Sequence, residues 1–403
     1  MQAEETDILV AGGGVAGLTA AAALAAEGLA VICVDPVPPV TDAAAPGSDL
    51  RSTAFLMPAI RLFERAGLWQ QLAPHAAALR VMRIADAGGA DGGIRDRVDF
   101  VSSDVGEEVF GYNLPNWLMR RELVARLEAL PEAGLRAGRQ LVRVVPRSDR
   151  AIVRLDDGSQ VAARLVVAAD GRDSAVRDGL GIGVRRWSYG QKALAFAVEH
   201  SLEHEGVSTE IHRSGGPFTL VPLPDDGGAH RSAVVWMETG PRAHALAEME
   251  PAAFEAELNG RACGVLGTLR LASARRVWPI ISQVADRLNG PRAALIAEAA
   301  HVVPPIGAQG LNMSLRDVAA LRDLVVAARD AGRDIGAPDL LRRYHRARHA
   351  DILARVAGVD ALNRAAMAET PVLRDLRRAG LRALHGVRPL RKTAIRLGLG
   401  AGR

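Results

Sequence analysis

The sequence predicts an α/β protein: a parallel nucleotide-binding sheet, an inserted antiparallel sheet and a helical C-terminal region. Three observations predict it. The first 35 residues run apolar strand, glycine turn, Ala/Leu helix, apolar strand. Two later segments, Leu165–Arg177 and Ala293–Asn312, each pass from an apolar strand into a turn rich in Gly or Pro. Short strand-like stretches then cluster between Lys192 and Glu238, before helical periodicity takes over near the C-terminus. A chain of 403 residues, 49% hydrophobic and 24% charged, is a globular protein of two or three domains, neither a disordered tail nor a disulfide scaffold. Its net charge of +4 is too small to argue a nucleic-acid partner. Cys33 and Cys263, 230 positions apart, form neither a metal-ligand spacing nor an oxidative framework, so a reducing, cytoplasmic compartment is expected, and no secretory signal opens the chain.

Ile8–Ala26 is nineteen residues without a charge, long enough to read as a membrane span. Gly12, Gly13, Gly14 and Gly17 argue against that, since clustered glycines cost a helix about 1 kcal/mol each. The stretch divides instead into a strand over Asp7–Ala11, a helix over Leu18–Ala26 and a second strand over Leu29–Val34, closed by Asp35. Gly12-x-Gly14-x-x-Gly17 at the first turn, with an acid 23 residues beyond its first glycine, is the pattern of a Rossmann-like dinucleotide site. There the glycines permit a tight turn, close approach of a pyrophosphate and close packing of helix on strand. The phosphates meet a positive helix N-terminus, and Asp35 accepts from a ribose diol.

The second segment reads LVVAADGRDSAVR, a strand running into Asp170-Gly171 with Ser174 and Arg177 beyond. The third reads AALIAEAAHVVPPIGAQGLN, a strand, a Pro- and Gly-rich loop and a helix that continues through Leu315 to Ala331. A nicotinamide dehydrogenase has no need of these two extra strand-to-loop sites.

These three segments, in this order and spacing, resemble the FAD-dependent aromatic hydroxylases, the single-component flavin monooxygenases, and among them the ubiquinone-biosynthesis hydroxylases. The resemblance covers essentially the whole chain. It implies a glutathione-reductase-type FAD-binding domain in which Gly12, Gly14 and Gly17 cradle the pyrophosphate and Asp35 takes the adenosine ribose. It places Arg51 near the isoalloxazine and Arg120 on the flavin side. Asp170 and Gly171 match an Asp-Gly pair used for FAD and pyridine-nucleotide contact, with Arg177 expected to fix the Asp170 carboxylate. Pro305, Gln309, Gly310, Leu311 and Asn312 match the loop that faces the flavin, whose backbone N–H groups stabilise charge on the reduced ring. The chain departs from the pattern at Ala297-Glu298, where Gly-Asp is usual and the acid takes the ribityl hydroxyls, and at Pro304 and Ala308, where His and Gly are common. Glu298 keeps the acceptor with one more methylene.

The resemblance further implies hydroxylation of an aromatic ring, a polyprenyl phenol or quinol of ubiquinone biosynthesis, by O2 and reduced FAD, with NAD(P)H or a protein as electron donor. Neither metal nor nucleophilic side chain is required. His200 and His204, four apart, fall at a strand end and in a loop, so no metal site is expected there. The stretches Lys192–His200, Val207–Arg213, Pro217–Leu223 and Ala233–Glu238 are expected to form a substrate sheet over the flavin. Position and family likeness put Tyr189, Gln191, Phe218 and Pro222 nearest the pocket, with a core role for Tyr189 and Phe218 as the alternative. No histidine or tyrosine stands out as the base for a phenol. Another aromatic substrate, a prenyl reductase, or a non-catalytic subunit of a multi-enzyme biosynthetic complex are the competing readings.

The FAD domain is expected to be discontinuous, over 1–80, 104–183 and 271–333, with 81–103 and 184–270 forming the substrate domain and 334–403 a helical region, in which Pro338–Ala366 reads as helix from apolar residues at helical spacing. Residues 374–403 hold nine Arg/Lys against Asp375 alone. That segment reads either as a basic amphipathic surface for peripheral contact with the inner membrane or as a terminal helix packed on the FAD domain.

Overall fold

The computed structural model describes residues 3–87, 93–213 and 215–367, together with Lys392 and Ile395. The strand Glu4–Ala11 lies in the middle of a parallel sheet, between Val31–Asp35 and Gln160–Ala168. Ala133–Ala137 and Ala293–Leu295 extend that sheet on either side, again in parallel. Ile8, Leu9 and Val10 are completely buried, as a strand covered on both faces requires, which is why the run is continuously apolar. Every residue of the helix Val15–Ala25 is buried as well. The uncharged stretch is therefore a nucleotide-fold core and crosses no membrane. Among the described residues, no helix is long and apolar enough to span one.

A second, larger sheet is antiparallel apart from one pair. Val184–His200 pairs with Ala229–Thr239 on one side and Arg276–Ala285 on the other. Val207–His212 pairs antiparallel with Pro217–Asp226 and parallel with Val81–Ala87, whose hairpin partner is Ile94–Val101. The two insertions thus join in one sheet. Arg276–Ala285 belongs to it too, and the chain returns to the parallel sheet only at Asn289–Leu295. The expected return at Leu271 is too early, because a half-buried strand after Leu271 carries no local mark of which sheet it will join.

Alternation along these strands decides what each face does. Leu194, Phe196, Ile211, Phe218, Leu220 and Trp236 pack on Phe254 and Leu258 of the helix Pro251–Ala262. The opposite face carries small side chains, among them Ala193, Ala195, Thr219, Val221, Ala233 and Val235. A third, three-stranded sheet of Ser52–Leu56, Gly111–Pro115 and Ala77–Leu79 is tied to the large one by Asn113, which donates to the Pro222 carbonyl at 2.7 Å.

Two long helices complete the fold. Gln309–Asp330 begins at the loop expected to face a flavin, and Pro338–Ala366 has the bounds its periodicity predicts. The basic segment 374–403 lies outside the described residues apart from Lys392 and Ile395. Ile395 is buried against Val98, Phe100 and Phe110.

Candidate active site

A cavity of about 710 Å3 opens between the glycine turn, the loop 297–311 and the small-residue face of the second sheet. That is the size range of a site for a cofactor with a small-molecule substrate. Gly12 has φ +109°, and a Cβ there would collide with the Ala169 carbonyl. A Cβ on Gly17 would run into the Gly12 carbonyl, whereas one on Gly14 would meet nothing within 4 Å. Two of the glycines serve backbone packing, and the third leaves open space at the helix N-terminus. Gly14 and Gly17 line the cavity. Asp35 braces the turn: its Oδ2 accepts the Gly13 N–H at 2.5 Å and its Oδ1 the Val37 N–H at 2.8 Å.

Arg51 and Arg120 both line the cavity, joined through an acid that the sequence reading missed. Asp49 receives both prongs of Arg51 at 2.7 Å, lies 3.8 Å from Arg120, and accepts from Asn116 at 3.1 Å. Burial alone would raise the Asp49 carboxyl, but Arg51, Asn116 and Arg120 together hold it below its usual value. Arg51 stacks 4.1 Å over Trp278, which comes from the second sheet. Only tertiary pairing reveals this group, since Asp49, Asn116 and Trp278 match no motif.

Pro305, Gln309, Gly310 and Leu311 line the cavity at the start of the helix Gln309–Asp330. Asn312 does not. Its amide accepts from the Leu56 N–H at 2.9 Å and donates to the Ala54 and Ala308 carbonyls at 2.7 Å, clamping the strand Ser52–Leu56 onto the helix start. Ala297 and Ala308, the two places where glycine is the usual residue, both adopt left-handed φ of +55°. Glu298 lines the cavity and pairs with Arg172 at 3.1 Å.

Gly171 is on the cavity wall, but the Asp170 carboxylate turns away, accepting from Ser174 Oγ at 2.5 Å and the Val176 N–H at 3.0 Å. Burial raises its pKa despite those bonds. Arg177 does not reach Asp170 with its guanidinium. It spends its donors on Asp178 and on the Arg172 and Ala299 carbonyls, because the short helix already satisfies Asp170 through Ser174 and Val176.

The expected substrate residues lie elsewhere. Phe218 is completely buried on the far face of its strand, and Pro222 offers its carbonyl to Asn113. Tyr189 bonds Asp360 at 2.6 Å, and Gln191 bonds Asn363 at 2.9 Å, so both dock the helix Pro338–Ala366. For Phe218 and Pro222 the error is one of strand parity: the neighbours Thr219 and Val221 face the cavity, and with a period of two no local cue says which set is inward. His200 and His204 are held by Ser232 Oγ and by the Leu202 and Leu223 carbonyls.

Behind the loop lies a buried charge network. Asp317, completely buried, binds His301 Nε2 at 2.6 Å and Arg348 Nε at 2.8 Å, and it accepts the Ala297 N–H at 3.3 Å. Arg348 continues to Asp351, Asp351 to Arg355, and Arg355 donates to Gln309 Oε1 at 2.8 Å. Burial would raise the Asp317 carboxyl, but His301 and Arg348 outweigh it and lower its pKa.

The glycine turn offers open space at a helix N-terminus, a second helix N-terminus faces the same cavity, and Arg120 Nε is buried there without a partner among the described residues. This donor set suits the pyrophosphate and electron-rich ring of FAD. The comparisons agree. A family profile described as FAD binding domain matches residues 5–357. The ubiquinone hydroxylase UbiL of Rhodospirillum rubrum is 36% identical over 98% of this chain and 89% of its own. The 3-demethoxyubiquinol 3-hydroxylase of Escherichia coli is 28% identical over 99% and 100%. Among solved structures, p-nitrophenol 4-monooxygenase PnpA from Pseudomonas putida superposes with a TM-score of 0.78 at 19% identity, over 99% of this chain and 100% of that one. Pseudomonas aeruginosa PqsL gives 0.76 at 23%, over 94% and 100%. With one profile matching residues 5–357 and a 36% identical relative aligned over 98% of the chain, the protein belongs to the FAD-binding-domain family of FAD-dependent monooxygenases.

Proposed function

We propose that this chain hydroxylates the ring of a polyprenylated phenol or quinol, a precursor of ubiquinone, with FAD as cofactor and O2 as co-substrate. The observation that carries the reading is the cavity itself, with two helix N-termini on one side and a smooth face of Ala, Val and Thr on the other. Bound FAD supplies the reduced ring that activates O2, and the protein supplies orientation, charge placement and dryness.

In this reading the backbone after Gly12 holds the pyrophosphate at the N-terminus of Val15–Ala25, with Asp35 on the ribose and Glu298 on the ribityl chain. The Gly310 and Leu311 N–H groups, at the start of a 22-residue helix, favour negative charge at the ring. Arg51 and Arg120 add positive charge, and Asp49 fixes both. Met82, Ile84, Phe100 and Ile395 form an apolar end to the cavity, suited to the start of a prenyl tail. NAD(P)H or a protein reductant delivers the electrons. A place in a multi-enzyme complex, and peripheral membrane contact through 374–403, suit a lipid-soluble substrate.

Quinone profiling of a deletion strain tests the reading. A prenylated intermediate lacking one ring oxygen is expected to accumulate. An unchanged profile, together with a purified protein that is colourless and takes up no FAD, overturns it. Stopped-flow reduction of the bound flavin by NADH or NADPH, with and without substrate, distinguishes a pyridine nucleotide from a protein donor.

A further inference from the structure

Hydroxylation of a phenol is faster when the ring's hydroxyl gives up its proton, since the phenolate oxygen pushes electron density onto the carbon to be oxygenated. Most ionisable groups that line the cavity are already committed. Asp49 is bound to Arg51, Arg83 to Asp99, Glu298 to Arg172, and His301 through Nε2 to Asp317. Arg51 and Arg120 are cations and accept no proton.

Glu210 differs. Sheet register places Ser208, Glu210 and His212 on the same face as Met82, Thr219 and Val221, which is the face that looks into the cavity. Glu210 lines that cavity among apolar and hydroxyl side chains. Its Oε1 meets His212 Nε2 at 2.6 Å, with side-chain exposures of 15% and 10%. His212 Nδ1 is buried and has no partner among the described residues. An orphaned ring nitrogen is tolerated more readily as a lone pair than as an N–H, so the proton belongs on Nε2, donated to Glu210. That bond fixes the carboxylate and leaves Oε2 for a ligand.

We propose that Glu210 is the proton acceptor for the substrate's ring hydroxyl and that His212 is its positioning residue. The substrate O–H bond breaks, its proton forms an O–H bond on Glu210 Oε2, and the electron pair stays on the phenolate oxygen. After oxygen transfer the ring oxygen is a dienone carbonyl; the ring carbon then gives its hydrogen as a proton to water, offsetting the proton taken up when the second oxygen atom of O2 leaves as water, and the carbonyl oxygen becomes a phenolate that accepts the proton back from Glu210 Oε2. His212 Nε2–H remains on Oε1 throughout. From the adjoining strand the register partners of Glu210 and His212 are Ile84 and Asp86, the latter held by Arg95, while Arg83 pairs with Thr209 and is held by Asp99. From Pro217–Asp226, the partners of Glu210 and His212 are Thr219 and Pro217, neither charged.

This inference rests on the ring-hydroxylation reading, and the test separates the two. Full-length, FAD-loaded wild type, E210Q and H212Q are given a short-chain prenylated phenol and a fluorinated, more acidic analogue. Hydroxylated product, hydrogen peroxide and the pH dependence of kcat/KM are measured, with substrate affinity followed by the flavin spectrum. E210Q is expected to bind FAD and phenol as wild type does. It should lose roughly 100-fold in product formation, release peroxide instead, lose the acidic limb of the pH profile, and recover in large part with the fluorinated ring. H212Q should show a smaller loss with a displaced acidic limb. An E210Q that matches wild type in product and pH profile overturns the assignment of Glu210 while leaving the hydroxylase reading intact. A wild type that forms no ring product overturns both.

Discussion

Removing the Asp317 carboxylate tests whether the C-terminal helix holds the flavin-facing loop. Asp317 is completely buried, joined by charge-assisted bonds to His301 at 2.6 Å and Arg348 at 2.8 Å, with the Ala297 N–H at 3.3 Å. In D317A, Arg348 keeps Asp351 and the Met313 carbonyl, while His301 Nε2 and the Ala297 N–H lose this acceptor. Breaking a buried ion pair from one side costs about 3–5 kcal/mol, and the surviving Arg348 bonds put D317A near the lower end. D317N retains an oxygen for one donor and should lose about 1.5–3 kcal/mol, the worth of a hydrogen bond to a charged group. Urea denaturation followed by tryptophan fluorescence, with and without FAD, measures both. FAD affinity should fall with stability, since Ala297 and, through Arg355, Gln309 are tied to the same network. A change in D317A below about 1 kcal/mol, the size of an ordinary substitution, would refute the reasoning. pH gives an independent check. Asp317 has a folded pKa below its unfolded value of about 3.9, so its contribution is complete above that pH and is lost as pH falls through the folded value. Wild type should therefore destabilise on acidification below about pH 4 more steeply than D317N.

Three further outcomes follow from the same geometry. A297G and A308G relieve a left-handed alanine worth about 1–2 kcal/mol, partly offset by about 0.4–1 kcal/mol of glycine's unfolded-state entropy, so each should raise the melting temperature slightly; a drop in both would show that the φ values carry no strain. G14A should leave the FAD-free fold intact and weaken FAD binding in a fluorescence titration, while G17A, whose Cβ meets the Gly12 carbonyl, should fail to accumulate as folded protein; equal behaviour of the two would contradict the division of labour in the turn. F218A should cost about 3–5 kcal/mol of stability as a core truncation, whereas V235F on the cavity face should keep stability and lower kcat/KM; the reverse pattern would show the sheet faces assigned the wrong way round.

The loop from Pro305 to Leu311, which lines the cavity, was reached through the family resemblance, whereas the glycine turn, the helix after it and the strand ending at Asp35 were legible because each rests on local chemistry: a turn that only glycine allows, a helix start, an apolar run. The substrate face was not. Tyr189, Gln191, Phe218 and Pro222 stand out as side chains, yet the cavity is walled by Ala195, Val221, Ala233 and Val235, which nothing in a linear pattern marks. A bulky residue attracts notice in sequence, but a roof that must admit a ring needs small ones.

By itself the sequence determined the nucleotide-binding β-α-β start, the insertion of an antiparallel sheet, and the long helix Pro338–Ala366. These follow from periodicity and from backbone sterics at glycine, which act over a few residues. Tertiary structure alone decided which strand face looks inward, that Arg276–Ala285 joins the second sheet, and that Asp49 unites Arg51 with Arg120. It also placed Asp317, His301 and Arg348 together, from three elements, in a buried site. Pairings of that kind depend on contacts between residues far apart in the chain, and a charge is buried only where folding has already brought its partner.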